Sequence, residues 1–359
     1  MVLMREHKGI SRDALLIVFV LLSAKLLVLL TVALAKDNWF HFMVTRWDGA
    51  HYTAIAAGWY TKEYQLAFAP LLPILARPLI LLGASPGTSV FIVANAFSFL
   101  PPLLTLRLWG RREALFLSAN PVYALFTTFP YAESLALTFL LAGLWALKEE
   151  RPFASGLLFG LAVLSKYSAV LPIAGLSLYL LAFRREWRLP RLSRFYLPIG
   201  FAGLVSGLLF YLTAGNPLAY LEVERGWDAK IVGPIDSLNW LLARNWFTRQ
   251  DWRVMSLHIS PELWALRHLL FLGLYVLGLA LLIKGRKDVE FWYSLPTVLL
   301  QASIRGVPLI STPRLLLPAV PAWGALGERL GEKGLALAVV LMLLLTPFIT
   351  CWHVYAFFA

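Results

Sequence analysis

Apolar runs broken by short charged segments set the pattern of this chain. A helix needs about 20 apolar residues to cross a bilayer, and on that basis the runs predict about eleven spans. They lie near 14–35, 88–107, 113–129, 133–147, 153–165, 168–183, 195–214, 263–283, 289–304, 315–328 and 334–350. Helices satisfy their own backbone in lipid, so the predicted class is all-α and polytopic, a single integral membrane domain over 1–359. The "VALAK" at 32–36 offers a small-residue pattern for a signal peptidase. The run before it is long enough to span, so it reads as an uncleaved first helix. One stretch departs from the pattern. "LAFAPLLPILARPLILLGAS" (66–85) is apolar but carries Pro70, Pro73, Arg77 and Pro78 within nine residues. It reads as a re-entrant or interfacial segment, which leaves two long outer loops, roughly 36–87 and 215–262.

Composition agrees with the pattern. The 359 residues are 59% hydrophobic and 14% charged, with a mean hydropathy of +0.71, too little polar surface for a soluble domain of this length. The net charge of +12 would suggest nucleic acid in a soluble protein. Here the Lys and Arg residues fall between apolar runs, so no nucleic-acid partner is expected and the charge bears on topology and anionic lipid. With the N-terminus cytoplasmic, eighteen of them occupy very short inner segments, among them Arg184, Arg185, Arg188, Arg191 and Arg194. The twelve on the outer side are spread over much longer ones, so the positive-inside rule favours this orientation. One cysteine, Cys351, excludes an intramolecular disulfide framework and a Cys-based zinc site.

Candidate chemistry starts with "TRWDGAHYTAIAAGWY" (45–60), which gathers Arg46, Trp47, Asp48, His51 and Tyr52 just after the first span. On a helix Asp48, His51, Tyr52 and Ile55 share one face, a carboxylate beside an imidazole and a phenol. The alternative is an interfacial aromatic belt with Asp48 capping a helix. Glu133, in "TFPYAESL", follows Pro130 at an outer mouth, where it is either a site residue or a first-turn acid favoured by the helix dipole. Lys166, in "LAVLSKYSAVLPIAG", interrupts an apolar run near membrane depth. It is either functional or a snorkelling stem, and Lys25, mid-helix in the first span, raises the same question. Arg305 and Arg314 flank "GVPLIST", and their guanidinium forks suit phosphate, with ordinary loop charges as the alternative. No Gly-rich phosphate loop, zinc signature or Ser/His/Asp motif occurs. His51 and His258 do not by themselves make a metal site, so none is assigned, although a divalent ion remains compatible with the acids.

Together these pieces resemble a family. "RWDGAHYTAIAAGWY" is similar to the first-loop motif of the PIG-V-type (GPI mannosyltransferase 2-like) enzymes. The likeness continues in order through "FAPLLPIL", "NPVYALFTTFPYAESLAL", "NPLAYLEVERGWDAKIVGP" and "STPRLLLPAVPAWGALG", over about 45 to 327. Lys166 stands where related sequences more often have arginine. The resemblance implies a GT-C fold and an inverting glycosyltransferase, with mannose moved from a polyprenyl (dolichyl) phosphate donor to a lipid-linked or glycan acceptor at the extracytoplasmic face. It places the acidic residue of the first outer loop that lies near the reaction centre at Asp48, the expected catalytic residue. Lys166, Arg305 and Arg314 are then expected to bind the donor phosphate, and Arg46, Trp47, His51, Tyr52 and Glu133 to bind substrate. A polyprenyl phosphate is already a good leaving group, so one carboxylate serves where glycosidases need two. The rival class is a lipid or glycolipid transporter or flippase, which also uses intramembrane cations and broken helices. Against it, the two halves show no inverted repeat, and two long outer loops are unusual for a symmetric carrier.

Overall fold

The computed structural model describes residues 2–184, 186–226, 229–243, 261–306 and 311–356. Helix dominates throughout. In chain order the helices are α1 (Val2–Ala35), α2 (Trp39–Thr45), α3 (Trp47–Gly58), α4 (Leu71–Leu81), α5 (Pro86–Phe97), α6 (Leu100–Leu108), α7 (Arg111–Ser118), α8 (Pro121–Thr128), α9 (Glu133–Lys148) and α10 (Pro152–Ser165). They continue as α11 (Val170–Phe183), α12 (Leu189–Ala214), α13 (Ala219–Gly226), α14 (Pro234–Leu242), α15 (Pro261–Lys284), α16 (Asp288–Ser303), α17 (Thr312–Leu315), α18 (Val320–Glu328) and α19 (Glu332–Ala356). Two 3-10 turns, Glu63–Ala67 and Tyr167–Ala169, precede α4 and α11. The extended structure among the described residues is a two-residue antiparallel ladder of β1 (Lys230–Ile231) and β2 (Ile304–Arg305).

Every predicted span contains helix, but the lengths differ from expectation. Five segments are long and apolar enough to cross a membrane: Arg12–Ala35, Pro86–Leu108, Leu189–Ala214, Glu262–Lys284 and Glu332–Tyr355. Helices α8 and α9 make a sixth if counted as one span, although they bend by 116° at their junction. By length and composition the described residues therefore hold five or six segments able to cross singly, and the expected eleven spans are not all of that length. The reason lies in the breaks. Pro121 opens α8 with Asn120 as its cap, the Asn120 side chain accepting from the amides of Val122 and Tyr123. Pro130 cannot extend that helix. Apolar run length registers burial in protein and burial in lipid alike, and α7 to α9 are among the most buried elements of the chain.

The stretch at 66–85 folds around α4, whose 11 residues reach about 16 Å, half of a hydrocarbon core. Leu72 and Ala76 pack on the core while Leu81 and Leu82 are exposed. Elsewhere the helices meet through small residues. A Cβ on Gly175 of α11 would lie 1.8 Å from the Trp292 carbonyl of α16, and one on Gly278 of α15 would lie 2.0 Å from that of Ala322 in α18. Such contacts let helix backbones approach where side chains would hold them apart.

Candidate active site

The segment that follows α1 turns sharply between α2 and α3. Trp47 takes a φ of 48°, a left-handed conformation costly for a bulky residue. Its ring is held by Phe42 at 5.3 Å and by His353 of α19 at 4.2 Å between centroids. Two residues on, a Cβ at Gly49 would meet the Met43 carbonyl at 2.4 Å and Pro130 at 3.0 Å. Only glycine lets this elbow seat against the α8–α9 break. Asp48 is thereby fixed at the start of α3, aimed inward.

Its side chain does not cap the helix. The Asp48 carboxylate instead accepts from Nη2 of Arg314 in α17, and the same guanidinium donates through Nε to Glu133 Oε1 at the start of α9. Lys166, between α10 and the 3-10 turn, donates from Nζ to that same Glu133 oxygen. The Arg314 guanidinium also lies over the rings of Tyr131 and Phe126, at 4.8 and 5.3 Å from their centroids. Two carboxylates and two cations thus form one neutral cluster, each member placed at a helix end. This placement is physical: helix N-termini favour carboxylates, and buried charges persist only when paired.

The cluster is not saturated. Glu133 is 2% exposed and its Oε2 has no hydrogen-bond partner. The Asp48 side chain is 21% exposed, with its Oδ2 engaged by Arg314. Burial pushes the Asp48 carboxyl up, but the charge and hydrogen bond of Arg314, with Lys166 and His51 beyond, outweigh it and hold the group below its ordinary 3.8. Asp48 is therefore a carboxylate at neutral pH, able to accept a proton or a hydrogen bond.

The other sequence candidates divide. His51 stacks on Phe68 at 4.3 Å, with Tyr64 edge-on at 5.5 Å, and burial lowers its pKa against the pull of Asp48. Tyr52 is 3% exposed and meets Phe68 edge-on. Trp47 forms the floor of the elbow. Arg46 is exposed and precedes α3 without joining the cluster. Arg305 lies in β2 opposite Lys230 and makes no ion pair with a described residue. His258 and residues 307–310 of the intervening segment lie outside the described residues. Lys25 is explained structurally, since its Nζ donates to the Thr127 carbonyl at 2.6 Å and caps the C-terminal end of α8. The sequence reading missed Tyr131, Phe126 and His353. The first two lie in the quoted "NPVYALFTTFPYAESLAL" and carry a usable signal, aromatic residues beside a candidate acid. Among the described residues, no group of three His, Cys, Asp or Glu side chains is placed to hold a metal ion.

Fold and site together define an all-α polytopic membrane protein with a buried four-residue ion cluster where helix breaks converge. No family model matches the chain, and no curated protein matches it. Among solved structures it is similar to ArnT from Cupriavidus metallidurans bound to undecaprenyl phosphate, at 17% identity and a TM-score of 0.48. It is also similar to ArnT from the same organism in the apo state, at 15% identity and 0.45. Each likeness covers 87% of this chain and 62% of the ArnT chain, so the chain matches less than two thirds of that protein's length.

Proposed function

We propose that this chain is an inverting glycosyltransferase of GT-C type. It moves a sugar, mannose by its PIG-V-like motifs, from a polyprenyl phosphate donor to a lipid-linked or glycan acceptor at the extracytoplasmic face. The observation that carries the reading is the cluster itself: an ionised, partly exposed Asp48 held beside two cations by one shared guanidinium. An acceptor hydroxyl attacks the anomeric carbon and its proton passes to the Asp48 carboxylate. As the new C–O bond forms on one face, the bond to the phosphate oxygen breaks on the other. The electron pair leaves on the phosphate, where Lys166 and Arg314 offset the growing charge. Glu133 holds those two cations side by side, and its second oxygen is an acceptor for a sugar hydroxyl. His51 and Tyr52 shape the apolar wall behind Asp48.

Purified protein given a panel of labelled polyprenyl-phosphate sugars, with products read by mass spectrometry, tests this reading. Asp48→Asn should lower transfer by about 10²- to 10⁴-fold while the protein still melts cooperatively. Transfer kept within about threefold would remove Asp48 from the reaction. Movement of intact lipid across vesicles without sugar transfer would mark a flippase instead.

A further inference from the structure

The two outer loops also meet away from the ion cluster. The 3-10 turn Glu63–Ala67 packs against α13, and between them lies an open pocket of about 370 Å³ lined by Glu63, Tyr64, Ala219, Glu222, Val223 and Gly226. The α13 members recur at three- and four-residue steps and so form one helix face. The volume falls within the range of small-molecule sites. Its chemistry is specific. Tyr64 is an aromatic ring left 44% exposed, and Glu63 and Glu222 are exposed carboxylates on opposite walls. Hydrogen-bond acceptors flanking an open aromatic face suit a ring bearing several hydroxyls, whose C–H face stacks while its O–H groups donate. Nearby donors temper the negative charge: Lys62 Nζ lies 5.7 Å from the Tyr64 ring centroid, and Asn216 donates to Glu222 at 2.8 Å. The balance favours a neutral polyol over a strong cation.

One lining residue, Tyr64, touches the helix that carries Asp48. Tyr64 meets His51 edge-on at 5.5 Å, and His51 lies three residues from Asp48 on α3. We infer that this cavity is the acceptor subsite and that its occupant is a sugar ring of a glycan or glycolipid headgroup, held so that one hydroxyl is presented toward Asp48. The inference rests on the transferase reading above and locates the sugar-recognising part of its acceptor site, with both outer loops needed to complete it.

The test is direct binding to the full chain in detergent saturated with undecaprenyl phosphate, with methyl α-D-mannopyranoside and methyl α-D-glucopyranoside as probes and saturation-transfer NMR as readout. At least one glycoside should bind the wild-type protein. Tyr64→Ala and Glu222→Gln should each raise its Kd at least about tenfold, through lost stacking and a lost charge-assisted hydrogen bond. Gly226→Leu, at a position where an added Cβ meets nothing within 4 Å, should do the same by filling the cavity with the fold intact. No binding to the wild type, or equal binding to all three variants, would overturn the subsite. A second measurement separates this from the underlying reading: Asp48-dependent release of sugar to water from mannosyl-phosphoryl-undecaprenol, with no acceptor present. Donor turnover with unaltered glycoside binding in the variants would remove the cavity and leave the transferase. Glycoside binding that follows the cavity, without donor turnover, would remove the transferase and with it the acceptor role.

Discussion

At Lys166 the sequence leaves two readings open, a functional cation or a snorkelling stem, and the structure pairs its ammonium with Glu133. The pair is largely buried, its side chains 17% and 3% exposed. Deleting the ammonium leaves Glu133 to Arg314 alone, and breaking a buried pair costs about 3–5 kcal/mol. Lys166→Met should therefore lower the melting temperature and, on the proposed donor contact, raise the Kd for a polyprenyl phosphate by about 10- to 100-fold. Lys166→Arg should recover much of both, since charge matters here before donor geometry. Unchanged donor affinity in a Lys166→Met sample that still melts cooperatively would confine the residue to a structural role. Each cluster member was legible singly, as an ionisable group in apolar surroundings. Their partnership was not, because Asp48 and Arg314 are separated by 266 residues and Glu133 and Arg314 by 181, and nothing local encodes such a meeting. Nor does sequence alone show that Arg305 stands in a ladder opposite Lys230.

Among the elements, apolar runs marked where helices form, and proline marked some of their ends. What the runs could not register was the 116° turn between α8 and α9, because a run buried in protein and a run buried in lipid have the same composition. Helix contacts were equally silent, since a glycine facing a neighbour's carbonyl looks in sequence like one facing lipid. The structure separates them. Gly175→Ala would drive a methyl into the Trp292 carbonyl, whereas a Cβ on Gly203 in α12 meets nothing within 4 Å. Gly175→Ala should cost at least about 1–3 kcal/mol by forcing α11 from α16. Gly203→Ala should be neutral or stabilising by up to about 1 kcal/mol. Thermal melts of both in one detergent check the contrast, and a wild-type melt for Gly175→Ala would contradict the α11–α16 crossing.

For the whole molecule the question is sidedness. Helix α9 runs from Glu133 in the cluster to Lys148, which pairs with Glu290; its 16 residues extend about 24 Å. Helix α11 likewise leads from beside Lys166 toward Arg184. The cluster and the arginine-rich segment at 184–194 thus sit at opposite ends of the same helices, the arrangement that the Lys and Arg bias requires if the loops at 36–87 and 215–262 are both outside. With Cys351 replaced, cysteines introduced at the exposed positions Thr61 and Arg188 should react with a membrane-impermeant reagent from opposite faces of sealed vesicles. Labelling of both from one face would undo the topology and the extracytoplasmic placement of the site.

Arg314 carries one consequence for the order of events. A guanidinium divided between Asp48 and Glu133 cannot engage a third anion fully without loosening its hold on one of them. A donor phosphate that draws on Arg314 leaves Asp48 with less positive charge beside it, and so a stronger base than before. In the proposed reaction, proton abstraction from the acceptor is then productive only once the donor is seated, and the two substrates should follow a compulsory sequence, donor first. Free polyprenyl phosphate should accordingly inhibit competitively against the donor and non-competitively against the acceptor. Competitive inhibition against both would mean that the two substrates enter in either order, and that Arg314 holds Asp48 without timing it.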